Sequence, residues 1–376
     1  MPHWRIPLSD LDLGEEEAAA VVRVVRSQWL TAGAEVRAFE QEFARLLGAE
    51  DAVALANCTA AIHLACVALG VRSGVEVIVP TLTMVATANA VVLAGGRPVF
   101  AESIGADDLT IDPADVERRI TSQTKGVICV HYGGYPCRLQ ELREICERHG
   151  LFLVEDVAHA PGASWNGSML GTVGDVGCFS FFGNKNLTTG EGGMAVAGER
   201  DLSERIRLLR SHGMTSLSWD RFTGHATGYD VVQPGFNYRM AELPAAVGRV
   251  QLQKLEANNA RRNELLERYR WRLADVDGIK VPFAGRSGVA HIAAVVVDDP
   301  SRRDGLRQAL HDAGIQTSLH YPLVHLFDHY RSSYGYAPGD LPVTEDLGSR
   351  LVTLPLYPTM YPEQVDEVCA CIAAYL

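Results

Sequence analysis

Lys185 is one of only four lysines in this chain of 376 residues, and it lies between an apolar segment and a cluster of glycines. Nearly all other basic residues are arginines, whose pKa is too high for them to act as nucleophiles. A buried lysine can lose its proton and attack a carbonyl carbon to form an imine. Because most lysines lie on the protein surface, assigning this role to Lys185 depends on its neighbours.

Three groups of polar residues follow predicted strands, at the positions where ligands bind to α/β sheets. The segment 57–61 forms a strand-to-helix turn, whose backbone N–H groups and Thr59 hydroxyl are suited to bind a phosphate. Asp156 follows a buried strand, and a buried carboxylate needs a partner to remain charged. Ser180 and the lysine precede the glycine cluster 190–193. Taken singly, the three groups are also explained by a helix cap, a structural carboxylate and a turn.

Together, a phosphate cradle, a buried acid and a lysine meet the requirements of pyridoxal 5'-phosphate. The aldehyde of this cofactor reacts with an amine, and its phosphate needs N–H and hydroxyl donors. Its pyridine nitrogen needs a carboxylate that keeps it protonated, so that the ring can take up electrons from a substrate carbanion. The sequence therefore predicts an enzyme that uses pyridoxal 5'-phosphate.

The elements that position these groups alternate between short apolar strands and helices from about residue 50 to residue 200. Nearly continuous Val, Ile and Leu runs are typical of parallel strands that are covered on both faces of the sheet. The predicted strands are 52–56, 75–79, 98–101, 126–131, 151–155, 176–181 and 194–197. The predicted helices are 59–69, 84–93, 113–120, 138–149 and 202–210.

The remainder of the chain differs in character. Residues 211–240 show no periodicity and are too many for a simple connection, so we expect a functional segment there. A long helix or pair of helices is predicted over 241–276, followed by a small α+β region. Its predicted strands are 291–297 and 315–319, and its predicted helices are 302–313 and 362–375. We therefore predict two domains, 1–245 and 246–376.

Composition excludes several functional classes. A formal charge of −12 argues against nucleic acid or an anionic membrane as the main partner, because both require a basic face. The eight cysteines form no CxxC pair and the histidines show no metal spacing, so we expect reduced thiols and no metal. No secretion signal is recognised in residues 1–10, and no apolar run has membrane-spanning length. These observations predict a soluble, cytoplasmic protein.

A series of motifs, in order along nearly the whole chain, resembles the DegT-like nucleotide-sugar aminotransferases of pyridoxal-phosphate fold type I. The motifs are Thr59-Ala60-Ala61-Ile62-His63-Leu64-Ala65, Val77-Ile78-Val79-Pro80-Thr81, Ala86-Thr87-Ala88-Asn89-Ala90, Val154-Glu155-Asp156, Gly177-Cys178-Phe179-Ser180-Phe181, Lys185-Asn186, Gly235-Phe236-Asn237-Tyr238-Arg239, His320-Tyr321-Pro322 and Leu354-Pro355-Leu356-Tyr357-Pro358. The resemblance implies an α/β fold with a mostly parallel, mixed sheet in a large domain and a smaller C-terminal α+β domain.

The resemblance also implies roles for the residues that react with the cofactor. Lys185 is implied to form the internal aldimine and to move a proton between the sugar carbon and C4' of the cofactor. Asp156 is implied to pair with the pyridine nitrogen, and His159 to lie near the phenolic oxygen. Lys185 further argues against a dehydratase, because family dehydratases that work without an internal aldimine carry histidine at this position.

Other positions are implied to hold the cofactor. The phosphate ligands are implied to be Thr59, the backbone of Ala60 and Ser180, while Asn237 reaches the phosphate in the neighbouring subunit of a homodimer. Met84 stands where most family members have an aromatic ring that stacks on the cofactor. A thioether contacts a ring favourably, but less strongly than a stacked aromatic side chain does.

The implied reaction moves an amino group from an amino acid, L-glutamate, through pyridoxamine phosphate to a keto group of a dTDP- or UDP-linked deoxy sugar. The implied substrate residues are Glu191, Arg239, His320 and Tyr321. The run 190–193 resembles that of members that act at C4 of the sugar. Three alternatives stay open: action at C3, a keto-cyclitol substrate in antibiotic biosynthesis, and a regulator that has lost catalysis.

Overall fold

The computed structural model describes residues 4–376. Residues 1–3, which begin the segment in which no secretion signal is recognised, lie outside the described residues. The helices are α1 (Glu15–Ser27), α2 (Ala34–Leu47), α3 (Cys58–Ala68), α4 (Ala86–Leu93), α5 (Pro113–Arg118), α6 (Leu139–His149), α7 (Arg200–Leu209), α8 (Ser218–Phe222), α9 (Glu242–Leu273), α10 (Arg303–Asp312), α11 (Asp328–Tyr334), α12 (Pro342–Arg350) and α13 (Pro362–Tyr375).

The strands are β1 (Val53–Leu55), β2 (Glu76–Pro80), β3 (Arg97–Ala101), β4 (Ser103–Gly105), β5 (Asp108–Ile111), β6 (Thr124–Val130), β7 (Phe152–Asp156), β8 (Ser164–Trp165), β9 (Ser168–Met169), β10 (Val176–Ser180), β11 (Gly193–Ala197), β12 (Ile279–Lys280), β13 (Ala293–Val297) and β14 (Leu351–Leu354). Seven of them form the main sheet in the order β1-β11-β10-β7-β6-β2-β3. Only β11 runs against its two neighbours, so the expected mostly parallel, mixed sheet is confirmed.

The parallel arrangement brings chemically useful residues to one edge of the main sheet. Asp156 is the last residue of β7, and Ser180 is the last residue of the adjacent β10. The turn from β1 into α3 and the segment after β2 lie at the same edge, because these strands run in the same direction. Ligands of α/β sheets bind at the carboxyl ends of the strands, where helix N-termini meet the loops.

The C-terminal region contains a small antiparallel sheet in the order β12-β13-β14. The prediction of a strand over 315–319 is wrong: this segment makes only isolated bridges, from Ile315 to Ile6 and from Ser318 to Thr353. The strand that pairs with β13 is instead β14, which directly follows α12 and was not predicted. Each segment begins and ends with an apolar residue, Ile315 and Leu319 in one and Leu351 and Leu354 in the other, and only the ladder with β13 in the folded chain distinguishes them.

Helix α9 is a single helix of 32 residues. Near its start, Ala246 packs against Ala20 and Val24 of α1. Further along, Leu265 and Tyr269 belong to the core that also contains β13, β14 and α13. Because the helix joins both cores, the predicted domain boundary between residues 245 and 246 stays a prediction.

Two bulk properties bear on the protein's surroundings. Within residues 4–376, no helix combines the length and the apolar composition that crossing a membrane requires. All eight cysteines are free thiols, and seven of them are buried.

Candidate active site

A cavity of about 320 Å³ opens at the carboxyl edge of the main sheet, between β7, β10 and the start of α3. Of the twelve residues that sequence reasoning assigned to a site, nine line this cavity: Thr59, Met84, Asp156, His159, Ser180, Lys185, Glu191, His320 and Tyr321. The other three, Ala60, Asn237 and Arg239, are not among the lining residues. The structure thus brings together residues from segments as far apart as 59 and 321.

A slightly larger cavity of about 370 Å³ lies beside α2, α7 and the loop 214–220. Its arginines are all paired with carboxylates: Arg37 with Asp220, Arg207 with Glu40 and Asp51, and Arg210 with Glu40. No lysine is among its lining residues. Within residues 4–376, the lining of this second cavity therefore offers no primary amine and no unpaired cation, so the smaller cavity is the better candidate for the active site.

Lys185 has the properties of a reactive amine. It follows a turn in which its backbone N–H donates to the carbonyl of Phe182, and its Nζ lies 3.4 Å from Nε2 of His291. Burial lowers the pKa of Lys185 to about 8, and the negative charge of Asp156 offsets part of this effect. A lysine with a pKa near 8 is partly neutral at physiological pH, which is the form that attacks a carbonyl.

Asp156 is a buried carboxylate with capacity for a further donor. Its Oδ2 accepts a hydrogen bond of 2.9 Å from the hydroxyl of Thr87, and its Oδ1 accepts one of 3.1 Å from the N–H of Ala158. Burial raises the pKa of Asp156, although these bonds and the charge of Lys185 act in the opposite direction. A carboxylate can accept about four hydrogen bonds, so a protonated pyridine nitrogen would both satisfy it and stabilise its charge.

The turn before α3 suits a phosphate. Oδ1 of Asn57 accepts the N–H of Ala60 at 2.8 Å and so caps the helix. The N–H groups of Cys58 and Thr59 precede the first intrahelical bond and remain available at the positive end of the helix dipole. Gly193 of β11 passes directly beside this turn, since a Cβ there would lie 2.4 Å from the carbonyl carbon of Asn57.

One predicted phosphate ligand already has a partner in this structure. The backbone N–H of Ala60 donates to Oδ1 of the cap residue Asn57. The binding of phosphate by Ala60 stays a prediction. The N–H groups that fit a phosphate are those of Cys58 and Thr59, together with the hydroxyl of Ser180, which is buried and lines the same cavity.

Three uncharged ring side chains, those of His159, His320 and Tyr321, also line the cavity. Nε2 of His159 lies 2.7 Å from the hydroxyl of Tyr321, and its Nδ1 accepts the N–H of Gly133. Burial lowers the pKa of His159 well below its ordinary value, and the charge of Lys185 adds to this shift. Burial likewise lowers the pKa of His320 to about 4. These histidines therefore stay uncharged at neutral pH and present hydrogen-bonding groups rather than charges.

Three residues of the site were not assigned roles from the sequence. Asn57 caps α3, Thr87 donates to Asp156, and His291 approaches the lysine. Thr87 lies within a motif of the recognised family, so a signal for it existed. His291 precedes a strand of the C-terminal region and has no local signal, because its 106-residue separation from Lys185 is closed only by folding.

Asn237 and Arg239 lie on a segment that runs beside the end of β1. The backbone of Asn237 forms a bridge with Ser211, and its side chain is exposed. Arg239 is half-buried, forms a bridge with Leu55, and has one buried guanidinium nitrogen without a hydrogen-bond partner among the described residues. Neither side chain belongs to the lining of the cavity in this single chain.

Cys129, His131 and Cys137 are buried, and their possible ligand atoms lie within 4.8 Å of one another. However, both ring nitrogens of His131 already have hydrogen-bond partners. Nε2 lies 3.0 Å from a carboxylate oxygen of Glu155, and Nδ1 accepts the N–H of Cys137. A metal would have to displace one of these bonds, and the expectation that the protein binds no metal stays a prediction.

The lysine, the carboxylate and the phosphate turn fit pyridoxal phosphate, and comparison with known proteins agrees with them. Residues 11–373 match the DegT/DnrJ/EryC1/StrS aminotransferase family. The chain belongs to this family. The resemblance inferred from the motifs is thereby confirmed, and it extends over almost the entire enzyme.

Three relatives illustrate the similarity. The spore coat polysaccharide biosynthesis protein SpsC of Bacillus subtilis (strain 168) is 38% identical over 374 residues, which cover 98% of this chain and 96% of SpsC. The structure of DesV from S. venezuelae in complex with a ketimine intermediate has a TM-score of 0.91 and 36% identity, and the match covers 99% of each chain. DesI in the presence of its TDP-sugar product has a TM-score of 0.87 and 31% identity, over 100% of this chain and 93% of DesI.

Solved structures similar to this chain include a sugar aminotransferase from Streptococcus pneumoniae in a form with pyridoxal phosphate and in a form with pyridoxamine phosphate. The enzyme is a pyridoxal-phosphate-dependent sugar aminotransferase with the type I fold, as the sequence predicts. The assignment of individual residues to the cofactor or the substrate stays a prediction.

Proposed function

We propose that the enzyme transfers the amino group of L-glutamate to the keto group at C4 of a deoxy sugar linked to dTDP or UDP. The observation that carries the proposal is that one cavity combines Lys185, with its lowered pKa, and the buried Asp156. The names of two relatives support the sugar substrate, because SpsC belongs to polysaccharide biosynthesis and DesI was solved with a TDP-sugar product.

Bound pyridoxal phosphate supplies an aldehyde that exchanges amino groups and a ring that withdraws electrons from the substrate carbon. In the proposed site, Asp156 keeps the pyridine nitrogen protonated, while Thr59 and Ser180 donate their hydroxyl groups to the phosphate. Nζ of Lys185 would move a proton between the substrate carbon that bears the nitrogen and C4' of the cofactor, toward C4' with the amino donor and away from it with the sugar. His159 is proposed to lie near the phenolic oxygen in its uncharged form, in which Nδ1 accepts the N–H of Gly133 and Nε2 carries the hydrogen.

The choice of C4 rests on the run 190–193, by resemblance. Glu191 is exposed at the cavity and is proposed to contact the substrate, as are His320 and Tyr321, which line the same cavity. Arg239 is proposed as a substrate residue by resemblance alone, since it lies outside the cavity of its own chain. Met84, which is 52% exposed, is proposed to cover one face of the cofactor ring.

A homodimer is part of the proposal, with Asn237 completing the phosphate site of the neighbouring subunit. The exposure of Asn237 and its position outside the cavity of its own chain support this assignment. Mixing two inactive variants tests it. Hybrids of Lys185→Ala and Asn237→Ala chains contain one site with both native residues only if Asn237 acts across the interface. Restored turnover on mixing is expected, and its absence would count against the arrangement.

The proposed location is the cytoplasm. Support comes from the eight free thiols, because cysteines persist in the reduced state in reducing compartments. A role in the biosynthesis of an antibiotic or of a surface polysaccharide is proposed by analogy with the relatives only.

Incubation with candidate ketones tests the substrate directly. The purified enzyme with pyridoxal phosphate and L-glutamate should convert a dTDP- or UDP-linked 4-keto-6-deoxy sugar into the 4-amino sugar, detected by mass spectrometry with 2-oxoglutarate as co-product. The comparison substrates are a 3-keto isomer of the same nucleotide sugar and a keto-inositol. Preference for the 3-keto sugar or the cyclitol would replace the C4 assignment with that alternative. Failure of every ketone, together with no spectral change on adding glutamate, would favour a non-catalytic regulator.

A further inference from the structure

A chain of hydrogen bonds fixes the orientation of His291, which lies beside the reactive lysine. Its first member is the carbonyl of Pro161, which can only accept, and which receives Nδ2 of Asn259 at 2.9 Å. Oδ1 of Asn259 then accepts Nδ2 of Asn186 at 2.8 Å. Asn186 consequently turns its own Oδ1 toward Nδ1 of His291, at 2.9 Å. The orientation of each amide follows from the one before it.

This series of hydrogen bonds determines the tautomer of His291. Because Oδ1 of Asn186 is an acceptor, Nδ1 of the imidazole carries the hydrogen and Nε2 carries the lone pair. Nε2 lies 3.4 Å from Nζ of Lys185. The imidazole is buried, and burial lowers its pKa well below the ordinary value, as do the charges of Lys185 and Arg262 and the neighbouring His159. His291 is therefore a neutral acceptor that faces the amine.

We propose that His291 positions the free amine of Lys185 by accepting one of its N–H groups at Nε2. The amine lone pair then remains available to attack a carbonyl carbon, because no donor in this contact engages it. The opposite tautomer would direct an N–H of the imidazole at the amine, and that bond would occupy the lone pair. The series of hydrogen bonds from Pro161 to Asn186 thus keeps the amine of Lys185 nucleophilic whenever the lysine is not bound to cofactor. The inference rests on Lys185 as the reactive amine and is independent of the sugar and the amino donor.

Two substitutions distinguish the effect of the hydrogen bonds between Pro161 and His291 from the effect of packing in the same loop. Asn186→Leu removes the acceptor at Nδ1 and so releases the tautomer of His291. Asn263→Leu is the matched control, because Asn263 holds the same loop through the carbonyl of Gly288 at 2.9 Å and the N–H of Ala290 at 2.7 Å. Both of these bonds join the side chain of Asn263 to backbone atoms of the loop. The substitution therefore leaves the contacts of the His291 ring with Asn186 and Lys185 in place. His291→Gln retains a carbonyl acceptor, and His291→Phe has none.

The first measurement is the 15N NMR spectrum of the full-length, cofactor-free enzyme with labelled histidine, in which the signals of His291 are those absent from His291→Gln. We expect the pattern of a neutral imidazole protonated at Nδ1 in the native protein and in Asn263→Leu. Asn186→Leu should shift it toward the Nε2-protonated form. A native imidazole that is protonated at Nε2, or at both nitrogens, would overturn the proposal.

The second measurement is the rate constant of imine formation with added pyridoxal phosphate, followed by stopped-flow absorbance. Loss of the one hydrogen bond should slow Asn186→Leu and His291→Phe roughly fivefold, whereas His291→Gln should recover most of the rate. If Asn263→Leu slows imine formation equally while the tautomer of His291 is unchanged, then the position of the loop controls the rate. That result would contradict the proposal. If neither the native protein nor any variant forms an imine, the assignment of Lys185 as the reactive amine fails. This result differs from failure of the His291 proposal, in which an imine still forms.

Discussion

Glu155 and Asp156 are adjacent on β7, and both are buried, yet the sheet gives them opposite surroundings. Successive side chains of a strand point to opposite faces. Glu155 has zero exposed area and receives the imidazole of His131 and the N–H groups of Gly171, Val173 and Gly174, at 2.8 to 3.0 Å. Among the described residues, the carboxylate of Asp156 accepts hydrogen bonds only from the hydroxyl of Thr87 and the N–H of Ala158, and it borders the cavity.

The difference shows that burial alone does not distinguish a structural acid from a functional one. Burial would raise the pKa of Glu155, but the hydrogen bonds from His131 and the backbone outweigh it and lower that pKa. At Asp156 burial prevails, and the pKa is raised. One carboxylate has its hydrogen-bonding capacity filled by the protein, and the other retains capacity for a ligand. The comparison therefore predicts different consequences when each carboxylate is made neutral.

Asp156→Asn should cause the largest functional loss, a fall in turnover of at least about a hundredfold, the usual effect of removing a preorganised electrostatic partner. Stability should be little changed or slightly increased, because a carboxyl group whose folded pKa is raised costs stability at neutral pH. Steady-state kinetics and thermal unfolding of the cofactor-free protein measure the two effects. Near-normal transamination by this variant would remove Asp156 from the cofactor site.

Glu155→Gln should mainly destabilise the fold, by about 3 kcal/mol, because a buried imidazole and three N–H groups lose a charged acceptor. The stability that Glu155 contributes is present above its unfolded pKa, near 4.5, and is lost as the pH falls through its lower folded value. Denaturant unfolding at neutral pH and at pH values below 4.5 should therefore show a larger effect of the substitution at neutral pH. A stable variant with a specific loss of cofactor binding would reverse the assigned roles.

Thr87→Val should reduce turnover about tenfold, because it removes the only side-chain hydrogen bond that the carboxylate of Asp156 accepts in the described chain. Valine keeps the size of the side chain, so the fold should persist. Thr83→Val is a suitable comparison, since the hydroxyl of Thr83 lies 3.0 Å from that of Thr87 and makes no bond to Asp156. If both variants lose the same activity, the bond to Asp156 is not the cause.

Met84→Phe should have the smallest effect, a gain of about 1 kcal/mol in pyridoxal phosphate affinity from aromatic stacking. The equilibrium Kd of the cofactor, measured with cofactor-free protein, reports this gain, and Met84→Leu serves as the control without a ring. This substitution sharpens the comparison because it strengthens contact with the cofactor ring without touching either acid. Weaker binding by Met84→Phe than by Met84→Leu would show that Met84 does not face the ring.

Much of the fold and part of the site follow from the sequence for identifiable reasons. The apolar runs 52–56 and 151–155 predict parallel strands, and Asp156 is recognisable because it ends one of them. The different roles of Glu155 and Asp156 are not recognisable, since the donors to Glu155 come from a loop about sixteen to nineteen positions away and from His131. The wrongly predicted strand at 315–319 has the same origin. This segment makes only single bridges, at Ile315 and Ser318, and the folded sheet decides which segment pairs with β13.

The central claim is that Lys185 is the amine that binds the cofactor. Borohydride reduction of the enzyme in the presence of pyridoxal phosphate, followed by proteolysis and mass spectrometry, identifies the modified lysine among the four in the chain. The structure predicts a stable adduct on Lys185 alone, and none in Lys185→Ala. An adduct on Lys125, Lys254 or Lys280 in place of Lys185, or no adduct on any lysine, would contradict the account.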